Sequence, residues 1–160
     1  MKSVANFWSV LKSIPNSIAF TFRSQRAFTL ASNEEYRRAY ENFRQAEKLT
    51  GFLLPKQALL KLFLLYKMGE FEKAYEEACE VERNICSSSS RYLNCDEKEY
   101  LRRFSVTIMW SCGVRLGMPV EELPSLAFKT SDLNERRVNP VIKKDFPLIN
   151  PSDFLDEGGK

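Results

Sequence analysis

Residues 56–82, KQALLKLFLLYKMGEFEKAYEEACEVE, carry the clearest structural pattern in the chain. In the first half, apolar residues recur at helical spacing from Leu59 to Tyr66, with lysines beside them. In the second half, apolar residues recur from Phe71 to Val81 among glutamates. Gly69 stands between the halves, where the left-handed conformation that ends a helix favours a residue without a Cβ. The stretch therefore predicts two helices joined by a short turn.

The pattern of the second helix occurs twice. An Ala-x3-Phe-x2-Ala pattern begins at Ala39, and an Ala-x3-Ala-x2-Val pattern begins at Ala74, 35 residues later. A period of about 34 residues, with small residues where helices cross, is typical of stacked helical hairpins. Over residues 20–123 the chain resembles the tetratricopeptide repeat family, through YKMGEFEKA at Tyr66–Ala74 and through Ala39–Leu49.

The resemblance implies an all-α fold, a short right-handed superhelix of about three helical hairpins. An N-terminal capping helix precedes the hairpins and an extended C-terminal tail follows them. A helical bundle with two similar hairpins and no repeat is the alternative. Residues 1–123 are expected to form the repeat domain, and residues 124–160 a Pro-containing tail packed on or near it.

Local signals predict the boundaries of the elements. Proline ends helices, glycine follows them, and a Ser or Asp three residues before Glu forms a capping box. The expected helices cover residues 4–14 up to Pro15, 17–31, Ser32 to about Leu49, 55–83, Asp96–Leu116 and Pro119–Leu123, with turns at Gly51, Gly69 and Gly117. A Ser-rich loop is expected at 84–95. In the tail, Phe128, Val138, Phe146 and Phe154 are candidate anchors, and residues 156–160 are expected to be disordered.

The helix at residues 4–14 has an apolar stripe and two interpretations. It either caps the open end of the hairpin stack or makes weak contact with a membrane surface through Lys2 and Lys12. The polar face carries few charges, so we favour the cap. No signal peptide is recognised, and the longest apolar run elsewhere, Leu62–Tyr66, is far too short to span a bilayer.

Composition narrows the class of protein. The 160 residues are 44% apolar and 28% charged, which is typical of one soluble globular domain. There is no His, and the four Cys lack a CxxC pair, which argues against a structural zinc site. Free thiols in a reducing, cytoplasmic compartment are favoured over two disulfides in a secreted chain. Without His or a phosphate-binding glycine loop we expect no enzyme activity, no metal and no cofactor.

Charge is distributed unevenly along the chain. Residues 1–33, 51–68 and 101–120 contain Lys and Arg but no acid, whereas residues 69–83 contain six Glu against two basic residues. In the tetratricopeptide family the first helix of each hairpin lines a concave groove, so the resemblance implies a basic groove. The residues expected to line it are Lys56, Leu59, Phe63, Tyr66, Lys67, Phe104, Thr107, Ser111, Arg115, Ser24 and Phe28.

Such a groove favours a non-enzymatic protein-binding module of the adaptor, chaperone or immunity-inhibitor type. The partner would offer an acidic or amphipathic segment. The alternative is a helical repeat protein that binds nucleic acid, which the net charge of +3 supports weakly. A third possibility is that the acidic, aromatic segment around Phe154 occupies the groove, as an autoinhibitor or in a swapped dimer. The oligomeric state is not predicted.

Overall fold

The structure, a computed structural model, describes residues 2–51, 53–87, 93–146 and 148, and of residues 2–14, 86 and 130 it describes the backbone. These ranges contain α-helices and short 3-10 helices and no strand, which confirms the prediction of an all-α fold. The α-helices are α1 (Lys2–Ser32), α2 (Tyr36–Thr50), α3 (Pro55–Lys67), α4 (Phe71–Cys86), α5 (Cys95–Arg115) and α6 (Pro140–Asp145). The 3-10 helices are Val120–Glu122, Thr130–Asp132 and Glu135–Arg137.

The helices pack in chain order. Each of α1 to α4 lies against the next helix, and α3 also contacts α5. Ala39, Ala46, Ala74 and Ala78, which carry the repeated pattern, are fully buried. Because alanine leaves room for close approach of neighbouring helices, these positions hold α2 and α4 against their partners. Two packed hairpins, α1–α2 and α3–α4, followed by α5, are compatible with a helical-repeat fold.

The helix ends repeat as the sequence pattern does. Gly51, Gly69 and Gly117 have φ of 76°, 76° and 71°, so the predicted glycine turns are confirmed. Glu34 has φ of 60° and occupies the place of Gly69 in the turn of the first hairpin. In both turns the next residue donates to a carbonyl five positions back, Glu35 N to Leu30 O at 2.9 Å and Glu70 N to Leu65 O at 3.0 Å. The two turns are therefore equivalent, 35 residues apart.

Pro15 does not end a helix. The expected helices at 4–14 and 17–31 are one helix, α1, with Pro15 inside it. Proline removes one backbone hydrogen bond from a helix, and the carbonyl that loses its donor needs another partner. Pro15 is exposed, so water can take that place and the helix continues. The N-terminal segment is thus part of the first hairpin rather than a separate capping helix.

Both predicted capping boxes were wrong by a few residues. Ser32 is the last residue of α1, and its hydroxyl donates to Phe28 O at 3.0 Å instead of capping α2. The cap of α5 is Asn94, whose side chain accepts from Glu97 N, while Glu97 accepts from Asn94 N. Serine and aspartate side chains bond to nearby backbone groups in many loops as well as at helix N-caps. A Ser or Asp three residues before a Glu therefore did not by itself identify the residue that caps the helix.

The third hairpin lacks its second helix. A short helix was expected at Pro119–Leu123, but only the 3-10 turn Val120–Glu122 forms. Pro124 disfavours helical conformation at Leu123, so the segment is too short to complete an α-helix. The described part of the tail is also not uniformly extended, since it contains two further 3-10 turns and α6.

Helix α6 attaches the tail to the body. Asn139 caps it by accepting from Val141 N at 2.9 Å, and Pro140 occupies the first turn. Val138, Ile142 and Phe146 are spaced by four residues and are buried in the same core cluster as the hairpins. Burial of each such side chain contributes about 1.5–3 kcal/mol. The anchor expected at Phe154 and the end at 156–160 lie outside the described residues.

Candidate interaction surface

A cleft opens between α1, α3 and α6. It has a volume of about 210 Å³ and is lined by Phe28, Ala31, Ser32, Tyr36, Leu60, Phe63, Leu64, Asp145 and Phe146. Phe28 and Phe63, from equivalent places in two hairpins, are half-buried and lie on its wall. Lysines flank both rings, with Lys56 Nζ 5.9 Å from the Phe28 centroid and Lys67 Nζ 5.5 Å from the Phe63 centroid. The cleft is apolar inside and cationic at its rim.

One end of the cleft is filled by the tail. The Phe146 side chain is 2% exposed and meets the Phe104 ring edge to face, with centroids 5.2 Å apart. The Asp145 carboxylate pairs with the Lys56 ammonium group. Leu148 N donates to the hydroxyl of Tyr100 at 3.2 Å. An acidic residue followed by an aromatic one therefore lies against predicted groove residues from α3 and α5.

The predicted groove residues fall into two groups. Six side chains are buried inside the molecule, so they are not part of its accessible surface: Ser24, Leu59, Tyr66, Phe104, Thr107 and Ser111. Five are partly exposed: Phe28, Lys56, Phe63, Lys67 and Arg115. Arg115 lies beside the buried Tyr66, to whose hydroxyl its Nε donates at 3.1 Å. The groove assignment stays a prediction, carried by the partly exposed group.

Two buried hydroxyl groups of the groove set, those of Thr107 and Ser111, have local partners. Thr107 donates to Arg103 O at 2.8 Å and Ser111 donates to Thr107 O at 2.9 Å, both within α5. The Ser24 hydroxyl is buried and has no hydrogen-bond partner within the described part of the chain. Hydroxyl groups bonded to their own helix are typical of packing positions rather than of ligand contacts.

The sequence segments that contain no acidic residue do not form surfaces that are free of acidic residues. Lys56 pairs with Asp145, and Lys61 pairs with Glu47 and Glu77 at 2.9 and 3.2 Å. These acids lie on other helices, so the count along the sequence missed them. Glu99, just outside one of the segments, lies 2.8 Å from both Arg102 and Arg103. The segments without acids therefore do not produce a uniformly cationic cleft, because Lys56 is already matched by Asp145.

Glu99 and its two arginines attach the start of the tail. Arg102 and Arg103 both stack on Phe128, with guanidinium carbons 5.4 and 5.0 Å from the ring centroid. Arg103 also donates to Lys129 O at 2.8 Å. Burial raises the pKa of the Glu99 carboxyl, but hydrogen bonds and positive charge from both arginines outweigh it, and the pKa lies below its ordinary value. Phe128 thus contacts two cations that share one carboxylate.

A second cleft of about 250 Å³ lies between α2, α3 and α4. Glu47, Lys61, Glu77 and Glu80 are among its lining residues. Burial lowers the pKa of Lys61, but the hydrogen bond and charge of Glu47 and the charge of Glu77 together raise it by more. The net pKa lies above the ordinary lysine value, so Lys61 stays charged. The arrangement satisfies a buried cation and joins three helices, which is a structural role.

Three of the four thiols belong to side chains that the structure describes, and these three form no disulfide. Cys79, Cys95 and Cys112 are free, and burial raises the pKa of the Cys112 thiol to about 12. A thiol with so high a pKa is protonated and unreactive near neutral pH. Among the described residues, no group of three or more Cys, Asp or Glu side chains is placed to hold a metal ion. None of the described helices is long and apolar enough to cross a membrane.

Sequence reasoning named Phe146 as an anchor of the tail but placed neither Phe146 nor Asp145 at the groove. One signal was present, because Val138, Ile142 and Phe146 recur every four residues as on a short helix. The pairing of Asp145 with Lys56 had no such signal, since the two residues are far apart in sequence and belong to different elements.

Comparison with known proteins gives no family. No family model matches the chain, and no significant match was found among curated proteins or solved structures.

Proposed function

We propose that the protein is a non-enzymatic protein-binding module of the adaptor, chaperone or inhibitor type. Its partner offers an acidic or amphipathic segment with an aromatic side chain, which docks in the cleft between α1 and α3. The observation that carries this proposal is the seat of the chain's own Asp145–Phe146 pair, with the carboxylate on Lys56 and the ring on Phe104. A surface that accepts this pair within the molecule has the chemistry to accept a similar pair from a partner.

The geometry of the cleft supports an aromatic anchor. Phe28 and Phe63 leave an apolar space beside Phe146, and a carboxylate of the partner would compete with Asp145 for Lys56. Aromatic residues in apolar pockets, surrounded by polar contacts, carry most of the energy in many interfaces. The charges at the rim would select the partner and speed its association.

The test is photo-crosslinking followed by a binding measurement. A benzophenone amino acid replaces Phe63 in the full-length protein, and the same amino acid replaces Val120 as control, because Val120 is 71% exposed and lies outside the cleft. The expected result is a specific protein adduct from position 63 and none from position 120. Peptides from the captured protein then identify the docked segment.

A synthetic copy of that segment is titrated against purified variants. Lys56→Glu and Phe63→Ala should each weaken binding about tenfold, the equivalent of roughly 1.4 kcal/mol. Lys48→Glu, an exposed charge reversal on α2, should leave binding unchanged. A captured segment without an acidic residue or an aromatic residue, or binding that resists both cleft substitutions, would contradict the proposal.

Nucleic-acid binding is not proposed, because no observation favours it. Lys56, Lys61 and the pair Arg102–Arg103 are matched by carboxylates and so offer little charge to phosphates. Filter binding with mixed RNA and DNA at low salt checks this point, and retention that falls steeply with salt would reinstate the alternative.

A further inference from the structure

Helix α1 is twice as long as the helix that covers it. It has 31 residues against 15 in α2, which at about 1.5 Å per residue corresponds to roughly 46 Å against roughly 22 Å. The turn at residues 33–35 returns the chain along the C-terminal half of α1, so α2 ends beside the middle of α1. The N-terminal half of α1 continues beyond the end of α2. The side chains of residues 15–18, where α1 leaves the contact with α2, are exposed.

The two sides of α1 have opposite roles. Ser24, Ala27 and Leu30 are buried against the body. Phe22 lies five residues before Ala27, which places it about 140° away around the helix. Phe22 and Ile18 are accordingly 63% and 66% exposed. They form an apolar surface that faces away from the body.

The apolar pattern of the sequence continues along the helix in the same register. At about 100° per residue, positions 4, 7, 8, 11 and 14 fall on the same side as Ile18 and Phe22. They are occupied by Val4, Phe7, Trp8, Leu11 and Ile14. A helix that capped the end of the hairpin stack would carry these residues on the side of Ala27. The register therefore argues against the cap and for a surface that takes an external ligand.

The charge of the segment selects the ligand. Residues 1–33 contain only four charged residues, Lys2, Lys12, Arg23 and Arg26, but all four are cationic, so their sign rather than their number is informative. Cationic residues beside a stripe of Trp, Phe, Leu and Ile are typical of helices that lie in the interface of an anionic bilayer. The same segment of a second copy would bring no acidic residue to pair with these cations, whereas anionic headgroups would. We propose that residues 2–22 of α1 bind the surface of an anionic lipid bilayer, with Ile18 and Phe22 on the side that enters the interface.

The proposal is tested with the full-length protein and lipid vesicles. Vesicles of phosphatidylcholine mixed with phosphatidylglycerol should sediment the protein, and vesicles of phosphatidylcholine alone should sediment much less. Binding should weaken as salt is raised, because salt screens the lysines and arginines. Lys12→Gln should lower the partition constant about fivefold, the effect expected for one cation near an anionic surface.

A matched pair of double variants separates the stripe from general effects of charge. Ile18→Glu with Phe22→Glu should abolish sedimentation with anionic vesicles. The control, Val120→Glu with Val141→Glu, changes two other exposed apolar residues, which are 71% and 56% exposed. It should sediment with anionic vesicles more than the Ile18→Glu, Phe22→Glu variant does. Circular dichroism and thermal melting establish that each variant is folded. Equal loss in both double variants would overturn the proposal.

Tryptophan fluorescence gives an independent reading. Trp110→Phe leaves Trp8 as the sole tryptophan, and anionic vesicles should shift its emission to shorter wavelength. Absence of both sedimentation and shift would overturn the proposal, as would lipid-free dimers that Ile18→Glu with Phe22→Glu dissociates. The crosslinking at position 63 uses neither lipid nor residues 2–22 of α1, so the two proposals fail independently.

Discussion

Lys61 is the residue on which three helices converge. Its side chain is 11% exposed and its ammonium group lies 2.9 Å from Glu47 on α2 and 3.2 Å from Glu77 on α4. Burying a cation costs free energy, and here two carboxylates offset that cost. The contribution to stability is present below the ordinary lysine pKa of 10.5 and is lost as pH rises through the raised pKa of the folded state.

Replacing Lys61 should leave two carboxylates facing each other without a cation. Lys61→Met keeps most of the side-chain volume, so the loss reflects charge, and we expect the free energy of unfolding to fall by about 2–3 kcal/mol. Urea titration measures the change. Lys48→Met on the exposed side of α2 is the control, with an expected effect of about 0.5 kcal/mol or less. An equally small effect at Lys61 would contradict the junction role.

At the scale of elements, the turns between helices are the best-predicted features. Gly69 and its left-handed conformation followed from one residue type at one place. The equivalent turn at Glu34 carried no glycine, so the serine before it was mistaken for a cap. A glycine between two helical patterns has one common interpretation, the left-handed end of a helix. A glutamate has no such interpretation, so a positive φ that tertiary packing imposes on it cannot be predicted from the sequence.

The two equivalent turns predict substitutions of opposite effect. Gly69→Ala should destabilise the protein by about 1 kcal/mol, because alanine is strained at positive φ. Glu34→Gly should stabilise it by about 0.5 kcal/mol, since relief of strain exceeds the added entropy of the unfolded chain. Thermal denaturation measures both. Asn33→Gly adds a glycine beside Glu34 at a position without positive φ and should destabilise slightly, and a gain there would refute the explanation through φ.

At the scale of the molecule, the tail depends on charge as well as on burial. Glu99 holds Arg102 and Arg103, which hold Phe128 and Lys129. Because the folded pKa of Glu99 is lowered, its contribution is present above the ordinary value of 4.5 and is lost as pH falls through the folded value. The contacts of the two arginines with Phe128 and Lys129 join residues far apart in sequence, so neither periodicity nor the local charge count predicted them.

Glu99→Gln should weaken this attachment near neutral pH. We expect a loss of about 1–2 kcal/mol, from hydrogen bonds to a charged acceptor. The difference from the wild type should shrink as pH falls from 4.5 through the lowered folded pKa, below which the folded wild-type carboxyl is itself protonated. Unfolding curves across acid pH test this, with Glu72→Gln on the exposed side of α4 as control. A difference that stays constant with pH would show that Glu99 acts by packing alone.

The seat of Asp145 and Phe146 has a consequence for how the molecule comes apart. In a stack of repeats, each unit touches only its neighbours, and the end units can melt separately. Here the segment Asp145–Phe146 contacts both α3, through Lys56, and α5, through Phe104. It therefore links the second hairpin to α5 in addition to their direct contacts. If either the second hairpin or α5 unfolds, this segment is released and the other part loses its contact with the segment as well. This coupling favours unfolding in a single cooperative step, in contrast to the gradual fraying of an open array.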